Sequence, residues 1–276
     1  MLFVLLIGGS VFIVLLYLWM IKPGRYRDDI MKPFERVYIA HRGLFDDAEG
    51  IPENSLPAFR RAVEQGYGIE LDIQRTKDRH LVVFHDRTLE RMCGENKVLT
   101  EMTLAEIQEY TLGKSKERIP LFEEVLDVVG GRVPIVVEIK PDGHCFAATA
   151  DMCKRMENYH GEYCMESFHP LCVWWVRMHY PKVARGQLSM NFFIEEAEKP
   201  FHQKLVMTSL VLNLFARPDF IAYKHSQRDQ FSYKLLRRLY RVTNAAWTIK
   251  SQEQLNAAKD TFQVMIFDSF IPKKDF

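Results

Sequence analysis

Residues 68–86 read GIELDIQRTKDRHLVVFHD. In a β-strand the side chains at i and i+2 point the same way, so Glu70 and Asp72 share one face, about 7 Å apart along the chain, and Ile69, Leu71 and Ile73 share the other. If this were a surface strand, the three apolar residues would fill the inner face. A buried barrel strand would then be half polar. Two carboxylates side by side instead require a cation, and a site at the end of an interior strand supplies the reason for them. A second apolar run, residues 81–84, follows at once and closes on His85-Asp86.

Outward from this stretch the chain alternates short β-rich runs with helix-like segments. The runs are VYIA (37–40), GIELDI (68–73), LVVF (81–84), PIVVEI (134–139), EYCME (162–166), VARGQL (183–188), FIAY (220–223), NAAWTI (244–249) and VMIFD (264–268). SLPAFRRAVEQG shows the connecting pattern, with Ser55 as N-cap, Pro57 in the first turn and Gly66 as the stop. Repeated β-α alternation implies a parallel sheet with crossover helices, and about 240 residues is the size of a (β/α)₈ TIM barrel. Nine runs are one too many for it. The other candidate, a doubly wound sheet, lacks a G-x-G-x-x-G after any strand. The interval from Asp86 to Arg118 is too long for a simple connection and is expected to be a small insertion after the third strand (86–118). The barrel is expected to occupy 36–276.

Four runs in succession end in ionisable side chains: His41-Arg42, Glu70/Asp72, His85-Asp86 and Glu138/Lys140. In a barrel such ends converge on one face. Carboxylate ligands without thiols suit a hard cation, Mg²⁺ or Ca²⁺. Two imidazoles are then free to move protons, and Arg42 and Lys140 offer charge to an anion. That combination describes phosphoester chemistry. The net charge of +1 leaves no bulk basic field, so nucleic acid is not an expected partner. Five cysteines without a C-x-x-C pair read as reduced thiols rather than a disulfide framework or a zinc site. Cys145 and Cys153 read as packing residues, and the remaining histidines, among them His144 and His169, as solvated or structural.

H-R-G (41–43), P-E-N-S (52–55), E-L-D (70–72), V-V-F-H-D (82–86) and V-E-I-K (137–140), in this order, resemble the glycerophosphodiester phosphodiesterase family. Ser167-Phe168, Trp247-Thr248 and Phe267-Asp268 extend the likeness toward the C-terminus. The resemblance implies a TIM barrel, a divalent metal held by Glu70, Asp72 and Glu138, and His41 and His85 as the acid-base pair. It places Glu53 and Asn54 in the same pocket and makes Arg42 and Lys140 phosphate contacts. Phe168 and Trp247, at strand ends, are candidates to stack on an apolar part of the substrate. The implied activity is hydrolysis of a glycerophosphodiester to glycerol 3-phosphate and an alcohol. Activity on lysolipids and a non-catalytic phosphodiester-binding module are the alternatives. An enolase-type barrel would require an additional domain before the first strand, where only residues 1–36 stand.

Those residues open with MLFVLLIGGSVFIVLLYLWMI, which carries no charged side chain from Met1 to Ile21. As a helix it would rise about 30 Å, one hydrocarbon thickness, and reads as a transmembrane anchor rather than a cleaved signal. A linker is expected over 22–35. Lys22, Arg25, Arg27 and Lys32 follow the apolar run, so the large domain is expected on the cytoplasmic face of the cell membrane. Residues 204–218 are a second apolar stretch, read as a barrel helix in preference to one resting on a bilayer. The oligomeric state is left open.

Overall fold

The computed structural model describes residues 2–140 and 145–274, without the side chains of residues 2–6 and 28. His144 lies outside the described residues. Nine strands are present among them: β1 (Tyr38–Ala40), β2 (Gly68–Arg75), β3 (Leu81–Val83), β4 (Ile135–Ile139), β5 (Tyr163–Ser167), β6 (Ala184–Ser189), β7 (Phe220–Lys224), β8 (Thr243–Ile249) and β9 (Val264–Phe267). The sheet order is β1-β9-β8-β7-β6-β5-β4-β2-β3, and β1 also pairs with β2. Eight parallel strands therefore close into a barrel.

The ninth strand is β3, which runs antiparallel to β2 with Val83 opposite Ile73. The insertion expected over 86–118 does follow this third strand of the chain, but β3 is not a stave of the barrel: it is the first element of an excursion that leaves from the second barrel strand. β2 overruns the rim, the chain turns at 76–80, and β3 brings His85 back beside Asp72, where the Phe84 N–H donates to the Asp72 carbonyl (2.9 Å). A short apolar run looks the same whether it pairs parallel or antiparallel, so periodicity could not distinguish the two. The insertion has a small core of its own, with Val82, Phe84, Leu89, Leu99, Ile107 and Ile119 buried together.

Alternation along β2 divides the apolar side chains from the acidic ones. Ile69, Leu71 and Ile73 pack outward with residues of the surrounding helices such as Phe59, Phe122 and Met152. Glu70 and Asp72 point inward, almost fully buried. Inside the barrel, below them, lie Ile39, Val136, Cys164, Phe220, Ala245 and Val264, closed from underneath by Met31 and Phe34. These two come from the helix Asp28–Glu35, so the stretch expected to be a linker (22–35) contains a helix that plugs the N-terminal end of the barrel. Arg27 fastens its start, donating from Nε to Asp219 Oδ1 (3.1 Å).

The first helix runs over Leu2–Ile21, as the apolar run requires. Among the described residues, however, no helix is long and apolar enough to cross a membrane, and the expected transmembrane span is not shown. The last turns of this helix are committed to the barrel. Ile21 is fully buried, its carbonyl accepts from Asn213 Nδ2 (3.0 Å), and the Tyr17 and Tyr240 hydroxyls bridge the helix to the body through Ser209 O and Leu18 O. Residues 204–218 form no single helix. They divide between the helices Phe201–Thr208 and Asn213–Ala216, with Phe201, Leu205 and Phe215 exposed.

Candidate active site

The H-R-G turn leaves β1 through two residues with positive φ, Arg42 at 56° and Gly43 at 81°. A Cβ at Gly43 would sit 2.9 Å from the Ala58 carbonyl carbon, so the position requires glycine both for its dihedral and for its space. The turn aims the Arg42 N–H at Glu70 Oε2 (3.0 Å) and its Nη1 at Glu53 Oε1 (2.8 Å), with Nε 3.3 Å from Asp72 Oδ2. P-E-N-S answers it. The Asn54 N–H donates to the Arg42 carbonyl (2.9 Å), and Asn54 Nδ2 donates to Asp72 Oδ2 (2.8 Å) from a residue with φ of 55°. Ser55 caps the following helix. Two non-glycine residues are thus held at positive φ beside the same carboxylate.

Glu70, Asp72 and Glu138 bring one carboxylate oxygen each within 4.8 Å of one another. The set is buried, all-oxygen and trianionic when ionised, which fits a hard divalent cation. Lys140 Nζ lies 2.8 Å from Asp72 Oδ1 and 2.7 Å from Glu138 Oε1, and it is held charged by them. Burial by itself would raise Asp72, but Lys140 and Arg42 outweigh it and hold this carboxyl well below the usual range. Glu70 has less compensation, so burial and then the neighbouring Asp72 lift it well above its usual value. Burial likewise pushes Glu138 up to about 7, against the opposing pull of Lys140.

Both predicted histidines face this group. His41 Nδ1 lies 3.0 Å from Asp268 Oδ2, and its Nε2 lies 3.9 Å from Glu70 Oε2. His85 Nδ1 lies 2.6 Å from Asp86 Oδ1, and Asp86 is held in turn by Arg91 Nε (2.6 Å). A carboxylate at each Nδ1 fixes the proton there and leaves each Nε2 as the working nitrogen. Burial lowers both imidazoles from their ordinary value. Asp268 opposes this at His41 and Asp72 opposes it at His85.

A cavity of about 370 Å³ joins these parts. Its wall includes His41, Arg42, Glu53, Glu70, His85, Glu138 and Lys140 on one side and Phe168, Leu188 and Trp247 on the other. Asp72 and Asn54 lie just beneath, fully buried. Phe168 and Trp247 meet edge to face at 5.6 Å, and the buried Trp247 Nε1–H has no protein partner. All eleven residues singled out from the sequence thus gather at one end of the barrel. Sequence reasoning passed over Glu166, whose side chain lies beside Glu138 on β5, is raised well above its usual value by burial, and has a buried Oε2 without a partner. It also missed the orienting roles of Asp86 and Asp268. A larger depression of about 860 Å³, around Glu123, Asp151 and His160, contains none of the strand-end residues.

Comparison with known proteins agrees with this geometry. The sequence profile of the glycerophosphoryl diester phosphodiesterase family matches residues 41–212. This chain belongs to that family. It is 34% identical over 188 residues to a glycerophosphodiester phosphodiesterase of Caldanaerobacter subterraneus, covering 64% of this chain and 74% of that one. With glycerophosphodiester phosphodiesterase 1 of Bos taurus it shares 33% over 238 residues, 82% of this chain and 63% of the relative, and so spans less than two thirds of that protein. Lysophospholipase D GDPD1 of Homo sapiens is 30% identical over 224 residues, 76% of this chain and 64% of that protein. Among solved structures, a phosphodiesterase of Oleispira antarctica in complex with sn-glycerol-3-phosphate superposes with a TM-score of 0.67 at 20% identity, covering 84% of this chain and 92% of that one. The glycerophosphodiester phosphodiesterase of Thermotoga maritima gives 0.63 at 23% identity, covering 84% and 95%. These two likenesses establish the barrel. The family membership makes the chain a phosphoric diester hydrolase.

Proposed function

We propose that the protein cleaves glycerophosphodiesters to glycerol 3-phosphate and an alcohol, using a divalent cation, Mg²⁺ or Ca²⁺, with His41 and His85 as the acid-base pair. The observation that carries this reading is the meeting, in one cavity, of two imidazoles with a carboxylate at each Nδ1 and three carboxylates gathered within 4.8 Å. Glu70, Asp72 and Glu138 would hold the cation, which supplies positive charge to the non-bridging phosphate oxygens. Arg42 and Lys140 orient the phosphate from either side of those carboxylates. One histidine accepts at Nε2 the proton of the attacking oxygen and the other donates from Nε2 to the departing alcohol; attack by water gives glycerol 3-phosphate directly, and attack by the glycerol 2-hydroxyl gives a cyclic phosphate that a second step with water opens. Asp268 and Asp86 stabilise whichever imidazole is cationic at each stage. Turnover of a panel of glycerophosphodiesters by the purified protein, with and without chelator, tests this. Release of glycerol phosphate that stops in chelator and returns with added cation supports it, and full turnover in chelator refutes the metal's role.

A lysolipid reading is favoured by a second cavity. An apolar groove of about 530 Å³, lined by Phe168, Leu171, Phe192, Met207, Leu212 and Phe215, shares Phe168 with the catalytic cavity. One acyl chain on the glycerol would enter it, and each methylene buried contributes about 0.8 kcal/mol. The diagnostic is an increase of kcat/KM with acyl length in lysophospholipids that Leu212→Asp removes without slowing a water-soluble glycerophosphodiester.

We further infer membrane association through the helix Leu2–Ile21, with the barrel on the cytoplasmic side. What supports it is the exposed run from Ile7 to Leu16, with Trp19 near its end and Lys22 and Arg25 immediately after. Protease added outside intact cells should leave the domain after Glu35 uncut.

A further inference from the structure

Cys145 is separated in sequence from His169 and Cys172, and it reads from the sequence as a packing residue and His169 as solvated or structural, yet the donor atoms of all three fall within 4.8 Å of one another. Cys145 begins the helix Cys145–Met156, His169 is the N-cap of the helix Pro170–His179, and Cys172 is in that helix's first turn. The cluster therefore joins two helix starts at the C-terminal ends of β4 and β5, on the face that carries the catalytic cavity. Cys172 is fully buried, Cys145 is partly open to solvent, and none of the described cysteines is in a disulfide. His169 Nδ1 is buried with no hydrogen-bond partner, an omission that buried polar nitrogens rarely show.

We propose that Cys145, His169 and Cys172 form a Zn²⁺ site, separate from the carboxylate site and of opposite chemical preference. Two thiolates and an imidazole are the ligand types of a zinc centre and are poor ligands for Mg²⁺ or Ca²⁺. Zn–S bonds of about 2.3 Å and Zn–N bonds of about 2.0–2.1 Å require ligand atoms somewhat closer than the outer limit seen here, a gap that side-chain rotation closes. Water at the exposed Cys145 side completes a tetrahedron. Loading would release the protons of both thiols to solvent. The metal would tie the start of the helix after β4 to the turn carrying Ser167 and Phe168. It would thus set the wall between the catalytic cavity and the apolar groove.

The test is the absorption spectrum of the reduced, metal-stripped protein titrated with Co²⁺. Thiolate ligation produces a near-ultraviolet charge-transfer band that an all-carboxylate site cannot produce. The expected result is a band saturating at one equivalent, displaced by Zn²⁺, lost in Cys145→Ala and in His169→Asn, and kept in Glu70→Gln. Cys145→Ala should retain hydrolysis in Mg²⁺, since its side chain is outside the catalytic cavity. Protein with all five thiols free that shows no such band, or a band that persists in both variants, overturns the proposal.

Discussion

His41 and Asp268 show how much of this site depends on single contacts. Asp268 raises the proton affinity of His41 against the burial that lowers it. Asp268→Asn removes the raising partner, so the limb of the pH–rate profile that reports His41 is expected to move to lower pH, with turnover falling by about 10² or more as the Nδ1 tautomer is lost. An unshifted profile would remove Asp268 from the site. Glu70 and Glu138 carry raised proton affinities in the metal-free protein, and a cation must displace those protons. The apparent affinity for Mg²⁺ or Ca²⁺ is therefore expected to weaken as pH falls from about 8 to about 6, by up to tenfold per unit for each proton displaced, and calorimetry in buffers of different ionisation enthalpy should record the release. The acidic pair of β2 was legible in the sequence because a period of two sends both side chains inward and the isoleucines outward. Glu166 was not, because Glu162 and Glu166 share one face of the EYCME run, so alternation could not tell the acid buried in the barrel from the exposed one at the start of the run.

The helix Asp28–Glu35 was hidden within a charged stretch that contains Pro33, and only tertiary contact shows its purpose. It buries Met31 and Phe34 against the lower layer of the barrel interior. Phe34→Ala is expected to cost about 3–5 kcal/mol of stability in chemical denaturation while leaving KM nearly unchanged, because the cavity it opens lies at the opposite end from the site. The H-R-G turn should behave in the reverse way. Gly43→Ala forces a Cβ into Ala58 at positive φ, costing about 1–3 kcal/mol, and it displaces the Arg42 N–H from Glu70, so activity should fall further than stability. All nine strand runs were visible from composition, but the antiparallel return of β3 was not, since hydrophobicity carries no strand direction. That return is what delivers His85. The first helix was legible as apolar and helical, while its docking through Tyr17, Asn213 and Tyr240 rests on residues up to 222 positions away in the sequence.

At the scale of the whole molecule, the barrel separates its tasks by height and by side. The lower interior is apolar and plugged. The upper interior carries charge, and within it the β1, β2 and β4 side holds Arg42, Glu70, Asp72, Glu138 and Lys140, while β5, β6 and β8 supply Phe168, Leu188 and Trp247, with Glu166 of β5 beside Glu138. A phosphate would face the first wall and the organic part of a diester the second. The fold was readable because alternation, length and strand-end chemistry all pointed to one architecture, and the oligomeric state was not, because no single sequence feature reports it. The central claim is that His41 and His85 divide acid and base between them at one phosphate. It is tested most directly by comparing His41→Ala and His85→Ala on an ordinary glycerophosphodiester and on one with a nitrophenol leaving group. Each variant is expected to lose on the order of 10² to 10⁴ in kcat on the ordinary diester, and one of the two should recover most of that loss on the nitrophenyl diester, whose oxygen needs no proton. Near-normal turnover of both variants on the ordinary diester would contradict the account.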